Sequence, residues 1–326
     1  MKRRRALVGI AVLGVGLSTS LESRAQRPAK TPVIGLLDGG ERLAWWTAFR
    51  QQMHELGYVD GKSVAYEGRF AKGKLEQLPS MAQELVRLEV ALIVTSSSAA
   101  AQAASRATDK IPIVTASTAD HVSIGLAASL ARPGGNVTGV SSIASELTAK
   151  RLELLQEILP KMSRLAVLWQ SDNLGSRTAV RDLERACRSA KVSLQNVGVK
   201  KAEEIAGAFS AATRERADAI FVILAPLTYG ERQRIGELAL KHNLPSMHGG
   251  AEFAAAGGLV SYGASYPDLF RRAAVYADKI LKGAKPGELP IEEPTRFEMV
   301  LNLKTAKALN IRLPSAVLLR ADRVID

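Results

Sequence analysis

Three consecutive hydroxyls, Ser96-Ser97-Ser98, stand between an apolar run and an alanine-rich helical pattern at Ala99–Thr108. Placed at the start of a helix, they would join several free backbone N–H groups at its positive end. That combination favours a carboxylate or a phosphate. The competing reading is plain N-capping by one of the serines. Further along, Ser117-Thr118-Ala119-Asp120 follows the next apolar run; Asp120 either caps the segment beginning at Val122 or accepts a ligand amine. Asp38-Gly39-Gly40 follows the first apolar run. Comparable small polar groups recur later at Gln170-Ser171-Asp172-Asn173, at Ala225-Pro226-Leu227-Thr228-Tyr229 and at His248-Gly249-Gly250. Such groups suit a small polar ligand better than acid–base chemistry.

Signatures of catalysis are missing from the chain. The histidines, His54, His121, His242 and His248, show no metal spacing of the H-E-x-x-H type. No G-x-S-x-G nucleophile elbow occurs. No G-x-G-x-x-G lies beyond the leader, so no cofactor is expected. His121 and His248 fall in loops that could face a ligand, whereas His54 and His242 sit near helix ends. Trp45 and Trp46 open a helix, one suited to the core and the other to stacking on a ligand. No basic cluster among these loops argues for a dianion.

These loops need elements to hold them. Short runs rich in Val, Ile and Leu predict strands at Val33–Leu37, Val64–Phe70, Val90–Thr95, Ile113–Ala116 and Val137–Val140. A second series runs Leu165–Trp169, Ser193–Val197, Ala219–Leu224, Pro245–His248 and Leu259–Tyr262. Near-continuous apolar strands suit parallel sheets covered on both faces. Amphipathic patterns between them predict helices, among them Leu43–Leu56, Val122–Leu130, Glu146–Leu159 and Tyr266–Leu281. Strict alternation predicts α/β architecture with two doubly wound parallel-sheet lobes. Ligands then sit outside the carboxyl ends of strands, where the polar loops fall. The first lobe is expected at 32–142 plus about 259–290, the second at 143–258 plus about 291–326. The chain would cross between them near Ser141–Ser145, near Leu259 and near Pro290–Thr295, which makes a multi-crossing hinge.

The first 25 residues read as a removable export signal. Lys2, Arg3, Arg4 and Arg5 precede the apolar stretch Ala6–Leu17, and Ser23-Arg24-Ala25 resembles a cleavage site. Arg4-Arg5 followed by Ala6-Leu7-Val8 also resembles a twin-arginine signal. The expected location is periplasmic. No cysteine lies near the cleavage site, and the single cysteine, Cys187, excludes an internal disulfide. Formal net charge is +12; the leader carries five basic residues and one acidic one, so its removal leaves +8. The basic residues are scattered among acids and aromatics are only 5%, so no nucleic-acid stacking platform is expected.

Several segments together resemble one family. They are Glu84–Leu88, Ile111-Pro112-Ile113-Val114, GLAASLARPGGNVTG at Gly125–Gly139, KRLELLQEILP at Lys150–Pro160, and DKILKGAKPGELPIEEPTRFEMVLNLKTAKAL near the end. The chain resembles the substrate-binding proteins of ABC transporters, in the group that includes tryptophan- and tyrosine-uptake binding proteins. The likeness covers nearly all of Pro32–Asp326. It implies a type I periplasmic-binding-protein fold that closes on a small-molecule ligand, and a monomer that docks transiently on a membrane permease with its ATPase. It also implies ligand contacts at Ser96, Ser97 and Ser98, at Ser117, Thr118 and Asp120, at Asp172 and Asn173, at Ala225 and Thr228, and at His248, with Asp38 bordering the cleft. The Ser96–Ser98 loop is the implied seat of an amino-acid carboxylate. The Asp120-His121 and Asp38–Glu41 loops depart from the family pattern. The alternative reading is a periplasmic sensor that presents its closed lobes to a membrane receptor. A repressor of the same fold would need a helix-turn-helix where the leader stands.

Overall fold

The computed structural model describes residues 31–144 and 147–326. The expected signal peptide at 1–25 lies outside the described residues.

The first lobe runs β1 (Val33–Asp38), α1 (Leu43–Glu55), β2 (Ala65–Phe70), α2 (Leu78–Arg87), β3 (Leu92–Thr95), α3 (Ser98–Ala107), β4 (Ile113–Thr118) and β5 (Val137–Ser141). Its five strands are all parallel, in the order β2-β1-β3-β4-β5. β3, β4 and β5 are buried at every position, as expected for strands covered on both faces.

The second lobe begins with α4 (Thr148–Ile158), β6 (Arg164–Gln170), α5 (Leu174–Ser189), β7 (Ser193–Val199), α6 (Ile205–Arg214), β8 (Ala219–Val222), α7 (Pro226–Gly230), α8 (Arg232–Lys241), β9 (Ser246–His248), α9 (Ala251–Ala255) and β10 (Val260–Ala264). Next comes α10 (Tyr266–Leu281), then β11 (Phe297–Asn302), α11 (Leu303–Ala308), α12 (Ser315–Leu318) and β12 (Arg323–Ile325). The second sheet has seven strands, ordered β12-β11-β10-β9-β8-β6-β7.

Both sheets reverse their winding beside a central strand. In the first the switch falls between β1 and β3, in the second between β6 and β8. The loops leaving these four strands therefore open at their crevices.

Three expectations need correction. The second sheet is mixed, because β10 and β11 pair antiparallel. The returning chain enters beside β10 from the opposite end, and the Pro-broken connection before it hid β11 from periodicity. The segment 259–290 does not belong whole to the first lobe. β10 pairs with β9 and β11 in the second sheet, and the chain crosses at Ala264-Ser265. α10 and the segment after it return, and there Phe270, Ala273, Ala274 and Ala277 of α10 are buried on one face against Trp45, Phe49 and Met53 of α1 in a shared core. Small alanines at helical spacing let the two helices approach closely. On the way out, Glu292 donates its N–H to Gly139 O at 3.0 Å and accepts from Ser141 N at 2.8 Å, so the chain runs beside β5 as far as Glu292. Finally, no helix forms at Val122–Leu130. Asp120 Oδ1 accepts from both Val122 N and Ser123 N at 3.1 Å, and Gly125 takes φ +73°. An Asx turn followed by a left-handed residue gives the backbone a different set of bonds.

Gly139 is where the hinge strand β5 lies tightest on β4. Its φ is +130°, and a Cβ there would sit 2.3 Å from Thr115 O and 2.5 Å from Thr115 N. Backbone strain and overpacking of this kind each cost about 1–3 kcal/mol. Gly139→Ala is therefore expected to lower stability by about 2–4 kcal/mol, seen as a lower urea midpoint at unchanged slope. An unchanged midpoint would show that β5 can shift freely.

Candidate functional site

The crevices of the two sheets face each other and are pressed together. Gln170, at the end of β6, donates Nε2–H to Gly73 O of the first lobe at 3.2 Å while its Oε1 accepts from Leu227 N at 3.1 Å. A Cβ on Gly39 would stand 2.9 Å from Pro226, so the glycine after Asp38 is what lets the lobes meet.

Between them lies a cavity of about 60 Å³. The first lobe contributes Arg42, Trp45, Ser96–Ser98, Ser117 and Ala119 to its wall, and the second Asn173, Gly175, Ser176 and Leu224–Pro226. The hinge segments add Ser142, Ala144 and Tyr266. A further cavity of about 20 Å³ shares Ala144, Leu224 and Tyr266 and extends toward Arg151 and Gly249.

The floor is a buried ion pair. Arg42 caps α1 with 1% exposure. Its Nη1 donates to Asp38 Oδ1 at 2.7 Å, to Ser96 O at 3.1 Å and to Ser96 Oγ at 2.9 Å. The second oxygen of Asp38 accepts from Trp46 Nε1 at 2.9 Å, and Oδ1 also accepts from Gly40 N at 2.7 Å. Asp38 is thus saturated by its own lobe and holds Arg42 in place. The guanidinium lies 5.1 Å from the Trp45 ring centre and 5.8 Å from that of Tyr229, a cation–π arrangement. Its Nε is buried without a hydrogen-bond partner among the described residues.

Two helix N-termini meet across the cleft. Ser97 Oγ accepts from Ala100 N at 3.3 Å, capping α3. Asn173 Oδ1 accepts from Ser176 N at 3.1 Å, capping α5. Each end carries roughly half a positive charge. Ser98 Oγ would lie 3.4 Å from a Cβ on Gly175, so the two ends are in contact range. Ser176 is 2% exposed, and its Oγ has no partner among the described residues. A buried hydroxyl left without a partner is costly, and this one borders the cavity. Among the described residues no Asp or Glu contributes to the cavity wall. The wall is rich in donors, which suits an anionic group.

The expected site residues divide evenly. Ser96, Ser97, Ser98, Ser117, Asn173 and Ala225 line the cavity. The other candidates are not on the cavity wall. Asp38 serves Arg42. Asp120 makes the Asx turn, and the backbone N–H groups of Ser123 and Val122 lower its pKa against the opposing effect of burial. Asp172 is exposed, on a groove at the cleft mouth. Thr228 Oγ1 accepts from Ala225 N at 2.9 Å and donates to Ile223 O at 2.7 Å. Thr118 is fully buried in β4. His248 stacks on Phe253 at 4.8 Å and shares a hydrogen bond with Ser246 Oγ at 2.9 Å.

Sequence reasoning missed Arg42, Ser142, Ser176 and Tyr266. Arg42 carries no motif that marks it, and it is a single cation paired with Asp38 rather than a basic cluster. Arg151 was missed as well. It reaches from α4 to donate Nε–H to Tyr262 O at 2.6 Å and Nη1–H to Ala144 O at 2.7 Å, tying the first crossing to the second sheet. Burial lowers its pKa to about 10.

These features define a two-lobed binding protein with its crevices closed on a small donor-rich cavity. Residues 30–325 match the family model described as ABC transporter substrate binding protein, and the chain belongs to that family. It is 27% identical over 268 residues to a tyrosine-binding protein of Clostridioides difficile, covering 82% of this chain and 77% of that one. A Streptococcus pneumonia ABC domain solved in complex with L-Trp is 25% identical, with a TM-score of 0.83 over 91% of this chain and 100% of the other. A conserved domain protein of Vibrio cholerae is 26% identical, with a TM-score of 0.84 over 90% and 100%.

Two predictions follow from the buried groups. Asp38→Asn would leave Arg42 buried and uncompensated, and is expected to cost about 3–5 kcal/mol in a urea titration. The double change Asp38→Leu with Arg42→Met should cost less than the single one, since it removes both charges.

The second concerns pH. Burial lowers the pKa of His121 to about 4, opposed by the charge of Asp120, and that of His248 to about 3. Their folded values lie below the unfolded value, so the unfolded chain takes up protons first as pH falls. Their contribution is full above the unfolded pKa and is lost as pH drops toward the folded values. Each is expected to lose about 1.5 kcal/mol between pH 6.5 and 5. Denaturation midpoints across that window measure it, and His248→Gln should remove one share of the slope.

Proposed function

We propose that the chain is the exported solute-binding component of an ABC importer. It closes on an amino acid or a related small carboxylate between its lobes and hands it to a membrane permease driven by an ATPase. It works as a periplasmic monomer released by its cleaved leader, and performs no covalent chemistry.

One observation carries this reading: helix N-termini from opposite lobes converge on one cavity, with the Ser176 hydroxyl, unpartnered among the described residues, beside them. A carboxylate placed there accepts bonds from both lobes at once. It can do so only when the crevices are shut, so its binding energy shifts the population toward closure. The closed surface, assembled from both lobes, is what the permease would recognise. The tyrosine-binding relative and the L-Trp complex support an amino acid as the solute class. Three hinge crossings allow the lobes to rotate without unfolding either sheet.

The test is a thermal-shift and calorimetric screen of residues 26–326 against amino acids, short carboxylates and sugars. A ligand at about 100 times its Kd stabilises the closed form by about 2.7 kcal/mol. Ser98→Ala and Ser176→Ala, on opposite lobes, are each expected to weaken binding by roughly 10- to 100-fold, the range for hydrogen bonds to a charged group. Sugars binding in place of every carboxylate would sink the assignment, as would serine variants with unaltered affinity.

A further inference from the structure

We infer that Trp45 sets the size of the ligand: its indole fills the part of the cleft where a large side chain would lie, and restricts the site to a short amino acid or carboxylate. This rests on the reading above that the interlobe cavity is the ligand site.

Trp45 is a wall residue of the cavity and is fully buried. It comes from the first lobe and is held from the hinge and the second. Its ring stacks on Tyr266 of the hinge with centres 4.4 Å apart and planes 11° from parallel. Tyr229 of the second lobe lies tilted against it at 4.6 Å, and Phe270 at 5.6 Å. Arg42 covers it from the floor. The indole Nε1–H reaches across to Glu252 Oε1 of the second lobe at 2.5 Å. An aromatic ring in a cleft between Tyr266, Tyr229 and a guanidinium is the arrangement in which an aromatic ligand would be gripped. Here the chain supplies the ring itself.

The space that remains agrees with this. A cavity of about 60 Å³ holds roughly four to six water-sized atoms. The adjoining cavity of about 20 Å³ adds one or two on the same scale. Glycine or another short ligand comes nearest to this space, and an indole or a phenol exceeds it. The polar side of the cavity needs only a carboxylate, which the α3 and α5 termini supply with donors. Moving Trp45 aside would break its stack on Tyr266 and leave Glu252 without the indole N–H, so the plug is built in rather than incidental.

The experiment is a comparison of affinities by calorimetry for glycine, L-alanine, L-serine, lactate, L-tyrosine and L-tryptophan. The wild-type protein is expected to bind at least one short ligand and to bind tyrosine and tryptophan more weakly by roughly 10- to 100-fold, the range of overpacking penalties. Trp45→Ala should raise affinity for tyrosine or tryptophan by a similar factor. Trp45→Phe keeps a ring on Tyr266 and should gain in the same direction by less, so it decides the matter if the alanine variant does not fold. Tyrosine or tryptophan binding to the wild type as tightly as alanine overturns the inference and leaves the transport reading intact. Unchanged preference in both variants does the same. If no ligand of the panel binds any of the three proteins, this inference is overturned, and the broader screen of amino acids, carboxylates and sugars decides the proposed function by itself.

Discussion

A guanidinium buried between two lobes must find a partner for its charge, and that requirement organises the site. Arg42 and Asp38 are both almost wholly withdrawn from solvent. Such a pair is tolerable only when its remaining donors and acceptors are also met. Asp38 is answered by Gly40 and Trp46, and Arg42 by Ser96 and two aromatic faces, with its buried Nε left unpartnered among the described residues. These bonds join the ends of β1 and β3 to the start of α1. The loop Asp38-Gly39-Gly40 is therefore a support rather than a binding loop. Its glycine is small because Pro226 presses on it from the opposite lobe.

Around that pair the fold brings four loops to one place. Each sheet switches direction beside a central strand, and the crevice so formed is the only part of a doubly wound sheet not covered by a helix. Setting two such crevices face to face makes a chamber whose wall comes from both lobes. Opposed helix N-termini then give it a positive character. The aromatic group around Trp45 closes one side and removes water from the ion pair. Stability and recognition share residues here: Tyr266 starts α10, packs in the core of the first lobe and stacks on the cavity wall.

The same economy appears at the hinge. Arg272 grips Glu292 on the return crossing, while the backbone of Glu292 pairs with β5. Arg151 fastens the first crossing through carbonyls rather than a carboxylate. Both crossings are thus tied to elements on each side of them.

The sequence by itself determined the alternation of strands and helices, because burial on both faces of a parallel strand demands continuous apolar runs and each covering helix demands a stripe. It also determined which loops end at the crevice, since chain direction places them, and six of the twelve expected residues do line the cavity. The resemblance to transporter binding proteins was legible in the same segments. Tertiary structure alone decided the rest. β11 pairs from the opposite direction and carries no period of its own partner. Val122–Leu130 has a helical stripe, yet Asp120 and Gly125 divert its backbone. Above all, composition cannot say which polar side chains are consumed by their neighbours. Asp38, Thr228 and His248 stood in loops expected at the cleft and are spent on local partners, whereas Arg42 and Ser176 belong to no motif and face the cavity. Hydrogen-bond satisfaction depends on contacts between residues distant in the chain, such as Arg42 with Ser96 and Trp45 with Glu252, and only the folded arrangement brings those together.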